Sequence, residues 1–329
     1  MKKLIRMSIV IPYYNGGAHI RTTLNSIYDL LYGPKEIIIV NDGSDKKNSA
    51  ILHNLRSKFK LHIIDIEENR GVAHARNMGL RRASTEYVLF LDQDCAIDRS
   101  ALRVMQNVFD KDTRVGGIQM RLLDFKTHAV ESQGHFLSIF GFPYELTDRK
   151  GTRFFIFGAK TAGFAVRRKA VLSLGGFDED YLIHGEDTDI CWRMWLGGYT
   201  VMYLSTAAGY HVKTSSMNPE KNSSIFYEGS KNGISNIIKN ADIYVLLFML
   251  PLHIAAWIGI SLSKLLSLDI PAIMSIYKGL AWNLFHLLSL LKKRRSIQSS
   301  STHIPLSFIL GPYSMITVLK KGIHWFSHV

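Results

Sequence analysis

Cysteine is almost absent from this 329-residue sequence, which contains only Cys95 and Cys191. Two cysteines so far apart provide neither the disulfide framework of a small secreted domain nor a cysteine-rich zinc site. The first seven residues are a short basic lead into a strand and lack the apolar core of a signal peptide. We therefore expect a reducing compartment, the cytoplasm.

Two common nucleotide-binding fingerprints are also missing. No Gly-x-Gly-x-x-Gly follows the first predicted strand, and no Gly-x-x-x-x-Gly-Lys occurs in the chain. A dinucleotide-binding fingerprint or a P-loop therefore does not explain how a nucleotide would bind. No short-period internal repeat is visible either, which argues against a solenoid.

Acidic residues are absent after Leu291, although the whole chain carries a formal charge of +13. The basic residues in that region are Lys292, Lys293, Arg294, Arg295, Lys320 and Lys321. Because this basic tail follows a hydrophobic region, it favours an anionic membrane surface as its partner. We expect no nucleic-acid partner.

Long apolar runs are present near the C-terminus. Residues 243–263 contain no formal charge and are long enough to cross a bilayer core of roughly 30 Å. Residues 270–291 form a second candidate span, although Lys278 lies near its middle. Two spans followed by the basic tail 292–329 would place the rest of the chain on the cytoplasmic face of the cell membrane. The alternative is a soluble helical subdomain packed on that remainder.

The N-terminal half alternates strands with amphipathic helices. Buried-type strands are predicted at 8–12, 36–40, 61–66 and 87–91, with helical patterns between them. This rhythm indicates right-handed crossovers and a mostly parallel α/β sheet. Ligands of such sheets bind at the carboxyl ends of the strands.

Two carboxylates separated by one residue follow the apolar strand 87–91. If Asp92 and Asp94 continue the strand, their side chains face the same way and Gln93 points elsewhere. Two carboxylates on one side suit a hard divalent cation, which would neutralise a diphosphate. The sequence therefore predicts a metal and phosphate site at this strand end.

The two preceding strand ends carry residue types suited to a nucleoside. Tyr14 follows the first strand and could pack on a base. Asp42 follows the second and could accept hydrogen bonds from a base or ribose. Three consecutive strand ends with compatible chemistry favour a nucleotide crevice over three unrelated turns.

Four motifs in order resemble the signatures of family-2 inverting glycosyltransferases with the GT-A fold. They are SIVIPYYN at 8–15, VNDGS at 40–44, NRGVAHARNMG at 69–79 and LDQD at 91–94. Rhamnosyltransferase-like enzymes that extend lipid-linked glycans are similar. The resemblance implies a Rossmann-like catalytic domain over 1–235, followed by membrane-associated helices over 236–329.

The resemblance also implies a nucleotide-sugar donor that is UDP-, dTDP- or GDP-linked. Its implied binding residues are Pro12, Tyr14, Asn15, Asp42, Arg76 and Asp92, with Asp42 on the base and Arg76 near the nucleotide. Asp92, Asp94 and His211 are the implied ligands of Mn²⁺ or Mg²⁺. A ligand set of imidazole and carboxylates suits Mn²⁺ better than Ca²⁺.

An acidic pair in HGEDTDICWR, residues 184–193, opens a predicted helix. Glycosyl transfer to a hydroxyl needs a carboxylate that accepts the hydroxyl proton. The resemblance places this role on Asp187, and Glu186 is the reserve candidate. Simple capping of the helix by acids is the structural alternative.

The expected activity is the transfer of one sugar to a hydroxyl of a lipid-linked or cell-surface glycan. The Gln-x-x-Arg-Trp signature of processive polysaccharide synthases is missing after the acidic pair, which favours single additions. One alternative is transfer to a polyprenyl phosphate, which needs no base. Another is a membrane protein that binds sugar nucleotides without turnover.

Overall fold

The computed structural model describes residues 4–212, 219–299 and 301–311. Its N-terminal half alternates strands and helices as expected. The elements in order are β1 (Leu4–Tyr13), α1 (Ile20–Tyr28), β2 (Gly33–Asp42), α2 (Lys46–Phe59), β3 (Leu61–Ile66), α3 (Val72–Arg82) and β4 (Tyr87–Leu91). Strands β1, β2, β3 and β4 are mutually parallel where they pair, with β1 between β2 and β4.

The second half of the sheet mixes directions. It contains β5 (Cys95–Ile97), α4 (Ala101–Lys111), β6 (Val115–Asp124), β11 (Gly163–Arg167), α5 (Arg168–Ser173), α6 (Glu186–Leu196) and β12 (Thr200–His211). Strand β11 runs antiparallel between β4 and β6, whereas β12 is parallel to β6. The mostly parallel α/β fold predicted from the sequence is confirmed.

Apolar cores lie on both faces of this sheet. Every residue of β4 is buried, and its side chains alternate between the two faces. Leu89 joins the core beneath α1, α2 and α4, whereas Phe90 joins the core beneath α3 and α6. A strand covered on both faces has no polar position, which explains the unbroken apolar run in the sequence.

The segment 124–152, which had no readable pattern, contains short strands. They are β7 (Val130–Ser132), β8 (His135–Leu137) and β9 (Pro143–Glu145), and β10 (Arg153–Phe155) follows. Strand β7 extends the main sheet beside β6, while β8 and β9 form a separate antiparallel pair. Strands of three residues are too short to give a periodic signal.

The C-terminal region is helical and packs on the sheet domain. It contains α7 (Pro219–Asn240), α8 (Ile243–Leu266), α9 (Ile270–Phe285), α10 (Leu287–Gln298) and α11 (Leu306–Leu310). The expected domain boundary at residue 235 falls inside α7. Lys239, near the end of that helix, is buried between Asp178 and Asp189. The sheet domain and the C-terminal helices therefore share α7.

The interval 270–291, a candidate span in the sequence, is not a continuous helix. Helix α9 ends at Phe285, where the His286 ring stacks on Trp282 and its Nδ1 lies 2.8 Å from the Trp282 carbonyl oxygen. Helix α10 then returns to the sheet domain, because Lys293 Nζ lies 2.6 Å from Asp178. Within the described ranges only α8 is long and apolar enough to cross a membrane. The basic tail beyond residue 311 lies outside the described residues.

Candidate active site

The Asp-Gln-Asp motif forms a turn and does not continue its strand as the sequence suggested. Strand β4 ends at Leu91, and the turn closes with a hydrogen bond from Cys95 N–H to the Asp92 carbonyl oxygen. Gln93 points away from both carboxylates, because its amide bonds the backbone N–H and carbonyl of Tyr14. The glutamine thus ties the ends of β1 and β4 together.

His211 reaches the motif through strand pairing. Strand β5, which directly follows Asp94, pairs with the end of β12 and sets His211 opposite Cys95. The Val212 N–H also donates to the Asp94 carbonyl oxygen at 2.9 Å. One ligand atom from each of Asp92, Asp94 and His211 lies within 4.8 Å of the others. The three residues predicted as metal ligands therefore share one site.

A fourth residue, Glu131 of β7, orients the histidine. Its Oε2 lies 3.0 Å from His211 Nδ1, so Nε2 faces Asp94 at 3.4 Å. Burial lowers the pKa of His211, but its hydrogen bonds to Asp94 and Glu131 outweigh this and raise it to about 10, so a cation bound at Nε2 would have to displace a proton. A carboxylate that holds the second nitrogen of a histidine ligand is a common feature of metal sites. The donor set therefore fits Mn²⁺ or Mg²⁺.

Asp42 is held at the start of α3. Its two carboxylate oxygens accept hydrogen bonds from the N–H groups of Arg70 and Gly71, each at 2.9 Å. Gly71 has φ +91°, and a Cβ there would lie 2.7 Å from the backbone of Leu182. Burial raises the pKa of Asp42, and the two N–H groups oppose that shift. Asp42 thus lies where the loop before α6 meets α3.

Arg76 lies between the metal motif and the acidic pair. Its guanidinium is buried and donates to Glu186 at 2.6 Å and to Asp92 at 3.2 Å. The contact with the nucleotide that the family resemblance implies stays a prediction, and within the protein the side chain joins two carboxylates. Arg76 thereby fixes the distance between the Asp-Gln-Asp turn and α6.

The acidic pair opens α6, and its two members differ in environment. Burial and the adjacent Asp187 raise the pKa of Glu186 to about 7, against the effect of Arg76. Asp187 is half-buried, and Thr188 N–H donates to its Oδ1 at 2.6 Å. In the part of the chain that the structure describes, its Oδ2 has no hydrogen-bond partner. Asp187 is therefore the better placed of the two to meet a substrate hydroxyl.

Helix α7 supports the loop that precedes this pair. His184 and Gly185 both have positive φ, at +64° and +82°. Asn232 donates to the carbonyl oxygens of Ile183 and His184, and Asn236 donates to that of Gly185. These side-chain amides stabilise an unusual backbone conformation immediately before the candidate base.

The remaining predicted binding residues lie at the end of β1. Tyr14 is 49% exposed, so its ring is free to pack against a ligand. Asn15 has φ +50°, and its side chain accepts a hydrogen bond from Asp45 N–H. Pro12 is half-buried inside β1. These residues border the same sheet edge as Asp42 and the Asp-Gln-Asp turn.

Lys160 contributes a positive charge at this edge of the sheet. Its Nζ lies 3.1 Å from Glu131. Burial lowers the pKa of Lys160, but the charges of Glu145 and Glu131, with a smaller effect of Asp187, raise it to about 12. Glu131 and Lys160 were missed by the sequence interpretation. They follow no motif, and only the pairing of β7 with β6 brings Glu131 to His211.

The sheet, its strand-end carboxylates and the acidic helix define a GT-A-type α/β domain. The chain belongs to the glycosyl transferase family 2, whose family model matches residues 8–174, about half of the chain. The family resemblance noted in the motifs is thereby confirmed.

Proteins with assigned activities are similar in sequence to part of this chain. The chain is 29% identical over 200 residues to the poly-beta-1,6-N-acetyl-D-glucosamine synthase of Staphylococcus aureus (strain COL). The alignment covers 60% of this chain and 47% of that protein. The synthase of Staphylococcus epidermidis is 30% identical with the same coverage. This chain therefore spans about half the length of these relatives.

Solved structures confirm the fold. S. aureus TarS 1-349 in complex with UDP-GlcNAc has a TM-score of 0.60 at 19% identity, covering 91% of both chains. GalNAc-T7 with UDP, GalNAc and Mn²⁺ has a TM-score of 0.61 at 17% identity, covering 72% of this chain and 48% of that one. The mannosyltransferase PcManGT from Pyrobaculum calidifontis, with GDP-Man and Mn²⁺, has a TM-score of 0.55 at 16% identity, covering 90% and 85%.

Proposed function

We propose that this chain is a metal-assisted, inverting glycosyltransferase. It moves one sugar from a UDP-, dTDP- or GDP-linked donor to a hydroxyl of a lipid-linked or cell-surface glycan. The observation that carries this proposal is the junction of two acidic groups at Arg76, which bonds both Asp92 and Glu186. One guanidinium thus links the site for the donor diphosphate to the acidic pair of α6, in which Asp187 follows Glu186 directly.

The roles of the side chains follow from this arrangement. Tyr14 packs on the base of the donor, and Asp42 accepts hydrogen bonds from the base or ribose. Asp92, Asp94 and His211 hold a divalent cation, which when bound supplies Lewis-acid stabilisation of the departing diphosphate. Asp187 Oδ2 accepts the acceptor hydroxyl proton as the oxygen attacks the anomeric carbon. One displacement inverts that centre.

The donor and the reaction can be tested together. The full-length protein is incubated with Mn²⁺, a lipid-linked acceptor mixture and one nucleotide sugar at a time, and the released nucleotide is measured. UDP-GlcNAc is the first donor to try, because it is the ligand of the similar TarS structure. Release of nucleoside diphosphate with an extended acceptor supports the proposal. Donor binding without release under all conditions would contradict it.

We place the catalytic region, 1–235, on the cytoplasmic face of the cell membrane. The C-terminal region, 236–329, attaches it there and brings the site close to a lipid-linked acceptor. Support comes from the long apolar helix α8 and from the basic residues that follow α9. Membrane attachment can fail without affecting the proposed chemistry.

Glu131→Gln should weaken Mn²⁺ binding by about 10- to 100-fold, the usual effect of losing a carboxylate that orients a histidine ligand. Isothermal titration of Mn²⁺, in the absence of donor, measures this directly. Glu145→Gln is the matched control, since Glu145 also faces Lys160, at 3.6 Å, and sits outside the ligand triad. Equal losses in the two variants would contradict a specific role for Glu131.

A further inference from the structure

The outer surface of the C-terminal helices is unusually apolar. The described residues include twenty-six exposed large hydrophobic side chains, of which sixteen lie between Ile243 and Leu291. Among the most exposed are Tyr244, Leu266, Phe285 and Leu288, each at least 80% exposed. An apolar surface of this extent on a folded domain marks a binding face for protein or lipid.

Helix α8 contributes both to this face and to the protein interior. Its buried side chains recur at every turn on one side, from Val245 through Met249, His253 and Trp257 to Ile260. The opposite side, from Ile243 to Leu262, is exposed and carries no charge. The buried stripe is roughly 22 Å long at 1.5 Å per residue, so the protein covers most of one side of the helix.

The contacts beneath α8 come from the sheet domain as well as from α7. His253 Nδ1 donates to the Phe140 carbonyl oxygen at 2.6 Å, and its Nε2 accepts from Trp257 Nε1 at 3.0 Å. Phe142 packs edge-on against Trp257, with ring centroids 5.5 Å apart. The loop 140–142 that follows β8 therefore lies along the middle of α8.

A helix held in this way does not cross a bilayer. If α8 crossed, the loop 140–142 and α7 would enter the hydrocarbon with it. Helix α7 carries the buried pair Lys231 and Glu228, and its Lys239 is paired with Asp178. Charged groups at such depth are unfavourable, and the backbone groups of the loop would be left without water.

The charge around the exposed face favours one occupant. Lys278, Lys292 and Arg295 are exposed on α9 and α10, and the sequence contains no acidic residue after Asp269. Phosphate headgroups of anionic lipids complement basic side chains at the edge of an apolar surface. A second copy of this chain would instead bring these cations against each other.

We infer that α8 and α9 lie in the plane of one leaflet, with their exposed apolar side chains among the acyl chains and the basic residues at the headgroups. This inference rests on the proposed membrane attachment and is independent of the sugar-transfer chemistry. It takes the place of the two candidate spans, 243–263 and 270–291, that the sequence offers. Both ends of α8 then stay on the side of the catalytic domain.

Vesicle flotation tests the lipid-binding face. The full-length protein should float with vesicles of phosphatidylcholine and phosphatidylglycerol, and less with phosphatidylcholine alone. Leu247→Glu and Leu266→Glu should each lower the bound fraction at least about tenfold, because each places a charge among acyl chains. Leu31→Glu is the matched control, because Leu31 is 53% exposed outside this face. A wild-type protein that stays with the soluble fraction, as a dimer or a monomer, would overturn the inference even if it releases nucleoside diphosphate.

Cysteine labelling tests the topology. Both natural cysteines are buried, so an introduced cysteine reports alone. Ser267→Cys lies at the exposed turn between α8 and α9, and Ser57→Cys on α2 marks the side of the catalytic domain. In intact spheroplasts, a membrane-impermeant maleimide should label neither variant, and rupture of the membrane should allow labelling of Ser57→Cys. Labelling of Ser267→Cys from outside intact spheroplasts would show that α8 crosses the membrane and would overturn the inference.

Discussion

Asp187→Asn should lower kcat by about 10²- to 10⁴-fold, the range expected when a general base is removed. The amide keeps the shape of the carboxylate and can still accept the Thr188 N–H bond at Oδ1. It has lost the ability to take a proton. Because Asp187 is assigned to the acceptor hydroxyl, KM for the donor should change little. Steady-state release of nucleoside diphosphate measures both constants.

Glu186→Gln is the matched control for that variant. In the wild type the pKa of Glu186 is raised to about 7, so this side chain is partly neutral near neutral pH. A glutamine at this position can still accept the hydrogen bond from Arg76. We expect a loss within about tenfold. A folded-state pKa above the ordinary 4.5 means that ionisation of Glu186 destabilises the fold as pH rises from 4.5 to about 7. The difference in Tm between Glu186→Gln and the wild type should therefore shift in favour of the variant as pH rises across that interval. If Glu186→Gln is inactive while Asp187→Asn keeps its activity, Glu186 and not Asp187 is the base.

Asp94→Ala should lower activity at least about 10³-fold while the fold stays intact. The substitution removes one of three ligands and leaves His211 without the carboxylate that faces its Nε2 at 3.4 Å. Mn²⁺-dependent thermal stabilisation should disappear with the activity. A chelator should reproduce the loss in the wild type, and added Mn²⁺ should reverse it.

Asp98→Ala is the control for Asp94→Ala, because Asp98 follows β5 and lies outside the ligand triad. It should keep both activity and the Mn²⁺-dependent shift in Tm. Full activity of Asp94→Ala, or of the wild type after exhaustive chelation, would contradict the metal site. Loss of the folded state in Asp94→Ala would be visible in the circular dichroism spectrum and would call for Asp94→Asn instead.

The sequence predicted the parallel half of the sheet well, for a physical reason. Strands such as β4 are buried on both faces, so they appear in the sequence as unbroken apolar runs followed by turn residues, and both features can be recognised. The carboxyl ends of parallel strands meet at one edge, which let Asp42 and the Asp-Gln-Asp motif be placed together before the structure was known. The ligand His211 came from the family resemblance.

The contacts that sequence could not supply depend on pairing between distant segments. Glu131 meets His211 only because the three-residue strand β7 pairs with β6. Arg76 is turned away from solvent by carboxylates 16 and 110 residues away. Hydropathy likewise showed that the interval 270–291 is apolar. It did not show that the helix is interrupted at His286. An apolar composition indicates that a segment is shielded from water, but it does not distinguish shielding by lipid from shielding by protein.

A crystal structure of the full chain with UDP and Mn²⁺ tests the central claim most directly. We predict one Mn²⁺ bound by Asp92, Asp94 and His211 and by the diphosphate, with the uracil against Tyr14 and Asp42 and with Asp187 open to the acceptor side. A nucleotide bound elsewhere, or a diphosphate held without an ion at Asp94 and His211, would contradict it.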